Sequence, residues 1–463
     1  MPSDLPKFSP PHLLVRPSML PFALLLAVAT ILLQSRPAVA NVAPISGFRV
    51  PIRRIPRLRP SLSTGNVLTT DVAINNRNEF TYLVSVSVGG QELSVILDTG
   101  SSDFWVVSAQ CSTSDCNGIT KYIADRSSSL TLSDKNFKLS YLTGSVTVFG
   151  TVVTFTCFSI AYSTPALANR TQGLDLSSAG NSGILGLSFS SIAAISLADG
   201  NTLLDNIFSN FDEPDRFFAF KLGRGSGPDD VTSSFTIGEL DETISSDLAS
   251  FSFTTVSKAG ADSFNYWKLP LQSLTIDNTT FSLSPSLVPG SKSPVAVLDT
   301  GTTLILGPTR DVEAFWRSAD QDATRRNDMS GLWEIRCDRG ISVSFSLGEK
   351  GNERAFPIDP GDINWEEGGS EAGWCIGGIQ ANDGVNSGDW LLGDVFLRNV
   401  YVTHHSANST HQPLIGLLSM TDPLISMSQF RKERGPEQSQ STTPWTRQHI
   451  HKEASPMNVL VCN

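Results

Sequence analysis

Apolar and polar residues alternate in short runs along most of the chain after about residue 70. The runs, separated by Gly, Asn, Asp and Ser, are FTYLVSVSVGG at 80–90, LSVILDTG at 93–100, GSVTVFGTVVTFTCFSI at 144–160, SSFTIGEL at 233–240 and ISVSFSLG at 341–348. A period of two, rich in Val, Thr, Phe and Ile, predicts β-strands. Helical periodicity occurs only in short stretches, at 202–211 and 309–320. We therefore predict a mainly β body.

Two motifs occur twice in the same order. SVILDTGSSDFWV at 94–106 resembles AVLDTGTTLILGP at 296–308, and GILGLSF at 183–189 resembles WLLGDVF at 390–396. The two Asp-Thr-Gly motifs lie 201 residues apart and the two Gly motifs 207 apart. A repeat of this kind predicts two similar lobes. We place them at 66–228 and 229–425, because a polar stretch at 223–230 favours a boundary there.

One long apolar run, MLPFALLLAVATILL at 19–33, lies near the N-terminus. It follows Lys7 and Arg16 and precedes the small-residue site Ala38-Val39-Ala40. This order is typical of a signal peptide, which we assign to residues 1–40. Because its 15 residues fall short of the roughly 20 that span a membrane, we expect secretion, with the vacuole as the alternative, and no stable membrane anchor. An uncleaved anchor is the weaker interpretation.

Charge is distributed unevenly along the chain. The net charge is -11, yet residues 1–60 contain eight Lys or Arg and one acid. The acidic remainder argues against a nucleic-acid partner, because phosphate binding needs basic groups. We interpret the basic segment 41–65 either as a solvated linker or as a propeptide held across a cleft of the acidic body. The polar segment 426–463 is predicted to be disordered, and a metal site at its His449 and His451 is the less favoured interpretation.

The distribution of histidine narrows the possible chemistry. No histidine lies between residues 13 and 403, so a Ser-His-Asp or Cys-His nucleophile and a His-rich zinc site are both disfavoured in the body. We predict no metal and no organic cofactor. Sequons at Asn169, Asn278 and Asn408 are candidate glycosylation sites in a secreted chain.

Asp98 and Asp299 are the candidate catalytic residues. Each follows a strand-like apolar run and is followed by Thr-Gly and a further hydroxyl residue, which gives the supporting set Thr99, Gly100, Ser101, Thr300, Gly301 and Thr302. Two carboxylates held together share one proton over an acidic range. The ionised group then activates a water while the protonated group assists the substrate carbonyl. Two hairpin turns closed by Asp are the structural alternative.

With these motifs, residues 75–420 resemble the two-lobed, pepsin-like aspartic proteases. The resemblance implies a pepsin-like fold with the active site between the lobes, and an endopeptidase made as a zymogen and active at acidic pH. It implies that Tyr141 is a flap tyrosine, with Thr143 and Gly144 at the flap tip and Trp105 as its hydrogen-bond partner. Leu142 departs from the glycine frequent at that position.

The resemblance also bears on the cysteines and the partners. It implies disulfides between Cys111 and Cys116 and between Cys337 and Cys375, and leaves Cys157 and Cys462 unassigned. We expect protein or peptide substrates with bulky apolar residues around the scissile bond, and a monomeric enzyme. A catalytically inactive binding protein on the same scaffold is the alternative function, and a β-rich adhesin is a more distant one.

Overall fold

The described part of the chain consists mainly of β-strands, as the sequence predicts. The computed structural model describes residues 47–56, 80–127, 136–151, 156–157, 160–161, 165–197, 201–224, 233–260, 263–327, 330–367, 371–385, 388–435 and 460–462. All of them lie in the second of two units, Met1–Pro44 and Ile45–Asn463. The predicted signal peptide, residues 41–46 and 57–65 of the predicted propeptide, His449 and His451 lie outside the described residues.

The strands are, in chain order, β1 Phe48–Val50, β2 Ile52–Pro56, β3 Phe80–Val88, β4 Gln91–Asp98, β5 Phe104–Val107, β6 Asn136–Ser140, β7 Ser145–Thr151, β8 Thr156–Cys157, β9 Ile160–Ala161, β10 Ala166–Gln172, β11 Gly183–Gly186, β12 Phe217–Lys221, β13 Ser234–Ile237, β14 Ser252–Thr255, β15 Lys268–Ile276, β16 Thr279–Phe281, β17 Val295–Leu298, β18 Ile305–Gly307, β19 Thr324–Arg325, β20 Trp333–Arg336, β21 Val343–Leu347, β22 Arg354–Ile358, β23 Asn364–Glu367, β24 Trp374–Gly377, β25 Ile379–Ala381, β26 Trp390–Leu392, β27 Val400–His405, β28 Leu414–Ser419 and β29 Leu460–Cys462. The α-helices are α1 Leu176–Ala179, α2 Ala194–Leu197, α3 Leu203–Phe208, α4 Thr309–Ala319, α5 Pro360–Ile363, α6 Asp394–Leu397 and α7 Pro423–Arg434. Short 3-10 helices occur at Ser114–Cys116, Ala124–Arg126, Ser190–Ile192, Glu213–Asp215 and Leu248–Ser250.

Two lobes are joined by a shared sheet. Strands β2 to β11, with β29, form the N-terminal sheet, whereas an eight-stranded sheet and a four-stranded sheet built from β15 to β26 form the C-terminal lobe. Between them in sequence, β12, β13 and β14 join β1, β27 and β28 in a six-stranded sheet. The chain therefore has the two lobes that the motif repeat predicts, in the pepsin-like fold that the family resemblance implies.

The predicted lobe boundary at 228/229 falls within this shared sheet. Strands β12 and β13 are antiparallel neighbours in it, and residues 225–232, which connect them, lie outside the described residues. The described residues pass from the N-terminal sheet to the C-terminal sheets by way of these shared strands.

The predicted helices are present and bury their apolar faces. In α3, the Thr202 side chain accepts a hydrogen bond from Asp205 N, which is a standard N-cap. In α4, Val312, Phe315 and Trp316 are buried in the main core. Within the part of the chain described, no helix combines the length and the apolar character that a membrane crossing requires.

The prediction of a disordered segment from residue 426 onward is wrong for its first part. Helix α7 continues to Arg434, with Pro423 at its first turn and the Asp422 side chain capping Leu424 N and Ile425 N. Phe430 is only 3% exposed and lies beside Gly340, and Arg434 Nη1 donates to Asn364 O at 2.7 Å. An N-cap, apolar contacts and this hydrogen bond therefore hold a largely polar helix. Further along, β29 pairs with β3 in parallel and with β8, where Cys462 and Cys157 are register partners.

The basic segment does not lie across the cleft in its described part. β1 pairs with β13 at the edge of the shared sheet, and β2 pairs with β3 of the N-terminal sheet. Arg49 forms an ion pair with Asp241 at 2.9 Å, and Arg53 donates a hydrogen bond to Ser94 Oγ at 2.6 Å. Val50 is buried in the main core, so apolar burial and β pairing, as well as charge, position residues 48–56.

Candidate active site

Each lobe holds one Asp-Thr-Gly loop against a strand segment of two apolar residues followed by a glycine, which we call the apolar-apolar-Gly strand. These segments are Ile184-Leu185-Gly186 and Leu391-Leu392-Gly393. β4 ends at Asp98 and pairs in parallel with β11, so that Gly186 is the register partner of Asp98. In the other lobe, β17 ends just before Asp299 and pairs in parallel with β26. Leu187 N donates to Asp98 O at 2.8 Å, and Asp299 N donates to Leu392 O at 3.1 Å. The two copies of the sequence repeat therefore form the same local structure, in which a parallel strand supports the loop that carries the aspartate.

The two loops are joined by a reciprocal pair of threonines. Thr99 N donates to Thr300 Oγ1 at 3.0 Å, and Thr300 N donates to Thr99 Oγ1 at 3.1 Å. Each hydroxyl in turn donates to a carbonyl of the other lobe, Thr99 to Leu298 O at 2.9 Å and Thr300 to Leu97 O at 2.6 Å. Both threonines are buried, so these four bonds fix the two loops relative to each other.

This pairing places the two carboxylates side by side with nearly the same hydrogen bonds. Asp98 accepts from Gly100 N at 2.8 Å and from Ser101 Oγ at 2.5 Å. Asp299 accepts from Gly301 N at 2.8 Å and from Thr302 Oγ1 at 2.8 Å.

Glycine is required at the third position of each motif by the space available. A Cβ on Gly100 would overlap the carboxylate of Asp299, and a Cβ on Gly301 would overlap that of Asp98. Every member of the predicted supporting set therefore lies at the carboxylate pair.

Burial and mutual repulsion set the acidity of the pair. Asp98 is 6% exposed and Asp299 8% exposed. Burial, followed by the charge of Asp299, raises the pKa of Asp98 above its usual range. Burial also raises the pKa of Asp299, against the hydrogen bonds from Thr302 and Gly301, which favour its ionised form. Two adjacent carboxyls with raised pKa values retain one shared proton where isolated carboxyls would both be ionised.

A hairpin made of β6 and β7 carries Tyr141, as the flap interpretation implies. Trp105 Nε1 donates to Tyr141 Oη at 2.7 Å, and Trp105 is fully buried. Tyr141 N donates to Gly144 O at 2.7 Å, which closes the turn over Leu142 and Thr143. The side chain of Leu142 is 49% exposed, so the residue that replaces the expected glycine adds an apolar side chain to the tip.

The two aspartates and the flap residues Tyr141, Leu142 and Thr143 line one cleft of about 650 Å³ between the lobes. It contains both catalytic candidates, Ser101, Thr302 and the flap tip, together with apolar side chains from both lobes. The apolar lining includes Ile96, Leu174, Leu176, Ile184, Ile192, Val385 and Leu391. A volume of this size is typical of a ligand-binding cleft. The described residues thus assemble a dyad beneath an amphipathic flap.

Sequence reasoning missed several polar residues of the cleft, among them Tyr266, Asp103 and Lys138. Tyr266 is half-buried, and burial, then the charges of Asp299 and Asp98, raise its pKa. Asp103 accepts hydrogen bonds from Ala194 N at 2.9 Å and Ile195 N at 2.8 Å. No local signal marks Tyr266. Asp103 follows the first Asp-Thr-Gly motif by only a few residues, and that proximity is the signal that identifies it.

The predicted disulfides are both present, between Cys111 and Cys116 and between Cys337 and Cys375.

The three sequons differ in exposure. Asn278 is exposed in the turn between β15 and β16, whereas Asn169 and Asn408 are half-buried. The side-chain amide of Asn408 also contacts the His411 ring at 2.7 Å. Asn278 is therefore the most accessible of the three for a glycan.

Comparison with known proteins agrees with the geometry of the site. The family model described as eukaryotic aspartyl protease matches residues 81–412. Pepsin A of Sus scrofa is 28% identical over 351 residues, which cover 74% of this chain and 83% of pepsin A. Endothiapepsin of Cryphonectria parasitica is 28% identical over 371 residues, covering 77% and 78%.

A third relative matches a similar length of this chain. Major aspartyl peptidase 1 of Cryptococcus neoformans var. grubii is 26% identical over 367 residues, covering 76% of this chain and 71% of that protein. The family match spans both Asp-Thr-Gly loops, the flap and the two apolar-apolar-Gly strands. The chain belongs to the eukaryotic aspartyl proteases and is an aspartic endopeptidase.

Proposed function

We propose that Asp98 and Asp299 hydrolyse peptide bonds by general acid–base activation of a water molecule, in the acidic range. The observation that carries this proposal is the pair of buried carboxylates joined by the threonine bonds. The ionised member takes a proton from water as its oxygen attacks the scissile carbonyl carbon. The protonated member donates a hydrogen bond to the carbonyl oxygen, and a proton reaches the departing nitrogen as the C–N bond breaks.

The flap supports this chemistry by positioning the substrate. An extended peptide in the cleft would pair its backbone with the β6–β7 hairpin, and its side chains would occupy pockets on either side. The apolar lining of the cleft favours bulky apolar residues around the scissile bond. Closure of a flap that carries Tyr141 would exclude bulk water from the reacting carbonyl.

The pH dependence follows from the shared proton. The pKa of each carboxyl is raised, so the singly protonated pair exists at acidic pH and loses its proton as pH rises through the upper pKa of the pair. We therefore expect kcat/KM to fall toward neutrality, because two adjacent charges then replace the acid and base. The measurement is kcat/KM against pH on a soluble peptide. If kcat/KM is highest above pH 8 and shows no ionisation in the acidic range, the result would contradict the proposed dyad.

Substitution of each aspartate tests the roles directly. Asp98→Asn and Asp299→Asn should each lower kcat/KM by at least about 1,000-fold, since an amide neither accepts nor releases the shared proton. The matched control is Asp277→Asn, the same change in an exposed turn whose side chain accepts from Ser342 N. Near-normal turnover by either dyad variant would overturn the assignment. Tight peptide binding without hydrolysis by the wild-type protein would favour the inactive binding protein instead.

We also propose that the enzyme enters the secretory route, functions as a monomer, and is made as a zymogen whose residues 41–65 are removed. The zymogen part of this proposal is supported by β1 and β2, which are edge strands that each pair with a single neighbour, so their loss would leave the other pairings in place. Although burial opposes it, hydrogen bonds from Ser234 and Thr243 and the charge of Arg49 lower the pKa of Asp241. The Arg49–Asp241 pair therefore persists until pH falls through that lowered pKa, and release of β1 requires acid.

The zymogen proposal is tested by comparing two starting points. A precursor that begins at Asn41 should cleave peptide at least about tenfold more slowly at pH 6 than a form that begins at Asn66, and high salt should reduce the difference by screening the arginines. N-terminal sequencing after incubation in acid identifies the cleavage point. Equal rates for the two forms before self-processing would make the segment a linker.

A further inference from the structure

One basic side chain lies in the cleft among several acidic ones. Lys138, on β6 of the flap hairpin, is exposed and lines the cleft together with Ser140 and Leu142. Among the described residues that line the cleft, no other is Lys or Arg, while Asp98, Asp103 and Asp299 are acidic. The ammonium group is therefore the one fixed positive charge that a bound peptide meets in the described cleft.

The strand geometry makes Lys138 available to a substrate. In β6 the side chains of Phe137 and Leu139 pack in the core of the N-terminal lobe. Side chains alternate along a strand, so Lys138 and Ser140 share the opposite, exposed face. Pairing with Thr147 of β7 fixes the backbone of Lys138 in the hairpin. The structure gives the Lys138 ammonium group no hydrogen bond or ion pair with another described residue.

The acidic groups of the cleft are already engaged with other partners. Asp103 accepts two backbone N–H bonds, and Asp98 and Asp299 are held by their own loops. An acidic side chain of a peptide would therefore find one cation in the described cleft, and that cation has no competing partner among the described residues. A basic side chain at the same place would be repelled by Lys138, and this repulsion increases the difference in kcat/KM between peptides with an acidic and a basic side chain there.

We infer that Lys138 makes this enzyme prefer peptides with an acidic side chain at the position that lies under the base of the flap. The inference rests on the proposed peptidase function and names the substrate class that the cleft selects. Because a glutamate side chain ionises with a pKa of about 4.3, the preference is present near pH 5.5 and absent near pH 3. The same enzyme then has a broader specificity in strong acid than in weak acid.

The test compares paired peptides that differ only in Glu against Gln, with the substituted position moved one residue at a time along an otherwise fixed sequence. With the acid-activated full-length protein at pH 5.5, one position should favour Glu by roughly fivefold in kcat/KM, the size expected of a partly exposed ion pair. At pH 3 the ratio should fall to about one. In the wild-type enzyme at pH 5.5 it should also fall when salt is raised to about 0.5 M.

Variants then assign the effect to the residue. Lys138→Gln should abolish the Glu preference at pH 5.5, so that the ratio of kcat/KM for the Glu and Gln peptides falls to about one, and Lys138→Arg should retain the preference. Lys138→Glu should favour a Lys peptide over the Gln peptide. The matched control is Lys350→Gln, an exposed lysine in the turn between β21 and β22 and outside the cleft lining, which should keep the wild-type ratio.

The possible failures are distinguishable. If the wild-type enzyme cleaves the Gln peptides but shows no Glu preference at any position, or a ratio that is independent of salt and pH, the inference about Lys138 is overturned while the peptidase function stands. The inference is likewise overturned if Lys138→Gln keeps the preference. If neither peptide is cleaved at acidic pH, the proposed function itself fails.

Discussion

At the scale of single residues, the chemistry depends on how the two aspartates are positioned. Each carboxylate receives two hydrogen bonds from its own loop, whereas its placement relative to the other comes from Thr99 and Thr300. Those threonine hydroxyls satisfy a backbone N–H and a carbonyl of the opposite lobe inside a buried site. Their contribution is therefore both to stability and to catalytic geometry.

Replacement of Thr300 by valine separates these contributions. Thr300→Val keeps the shape but leaves Thr99 N and Leu97 O buried without partners, so we expect the free energy of unfolding to fall by about 2–4 kcal/mol. A shift of the loops should also lower kcat/KM by roughly 100-fold. Urea unfolding at neutral pH and peptide kinetics at acidic pH measure the two effects. Thr300→Ser, which keeps the hydroxyl, is the control, and an equal loss in that variant would contradict the argument.

The sequence is sufficient to predict the residues of the dyad because their roles are encoded locally. An apolar run, Asp-Thr-Gly and a following hydroxyl specify a strand end, a tight turn and an oriented carboxylate within a few positions. Tyr266 and Lys138 could not be assigned to the cleft in the same way. Tyr266 lines the cleft because β15, which begins two residues after it, pairs with β17 next to Asp299. Lys138 lines it because of the side-chain direction in β6, and no short motif records either placement.

At the scale of elements, the proposed mechanism assigns the β6–β7 flap the task of closing over the bound peptide. The flap tyrosine accepts a hydrogen bond from the buried Trp105, whose Nε1 lies 2.7 Å from Tyr141 Oη. Burial, then the charge of Asp98, raises the pKa of Tyr141, so the phenol remains neutral and able to accept this bond at every pH where the dyad works. The orientation of the flap should therefore depend on this contact.

A double-mutant cycle tests that dependence. Tyr141→Phe and Trp105→Phe should each lower kcat/KM by about tenfold, chiefly through a higher KM, because the flap then closes less often over the peptide. The double variant should be little worse than either single variant, since all three lack the same bond. Additive losses would show that the two residues act independently and would contradict the proposed contact.

Element prediction from the sequence works for strands with regular alternation and fails where several signals conflict. The strands at 80–88, 91–98 and 343–347 and the helix at 309–319 are predicted because their periodicity is clear. In 48–56 the arginines obscure the alternation of Phe48, Val50 and Ile52. In 423–434 the overall polarity favours a prediction of disorder. The N-cap residue Asp422 followed by Pro423 is a helix-start signal that would have identified α7 if it had been given more weight.

At the scale of the whole molecule, the six-stranded sheet that joins the lobes contains two buried histidines. His404 is fully buried, stacks on Phe218 at 4.5 Å and meets the edge of Trp267 at 4.8 Å. Trp267 Nε1 donates to Leu187 O, and Trp267 O accepts from Leu298 N, so it touches the strands behind both catalytic loops. Neither ring nitrogen of His404 has a hydrogen-bond partner among the described residues.

Both histidines stabilise the fold only while they are neutral. Burial, then the neighbouring His405, lowers the pKa of His404 well below its ordinary value. Burial, then the charge of His411, lowers the pKa of His405 to about 4. The unfolded chain binds these protons below about pH 6.5, whereas the folded chain does not bind them until lower pH. The stability that depends on these two neutral histidines is therefore fully present above about pH 6.5 and is lost as pH falls.

The acid limit of the enzyme should accordingly shift when His405, which is 8% exposed, loses its titrating ring. Between pH 6.5 and 4 its protonation in the unfolded state removes about 3 kcal/mol of stability. In His405→Phe, which can still stack on Phe217, the loss between pH 7 and pH 4 should be smaller by about that amount. Urea unfolding in an Asp98→Asn background, which prevents self-digestion, measures it. Phe217→Leu is the control, because it should lower stability equally at both pH values. An unchanged pH dependence in His405→Phe would mean that other groups set the acid limit, and that the sheet joining the lobes is not the part of the molecule that fails first in acid.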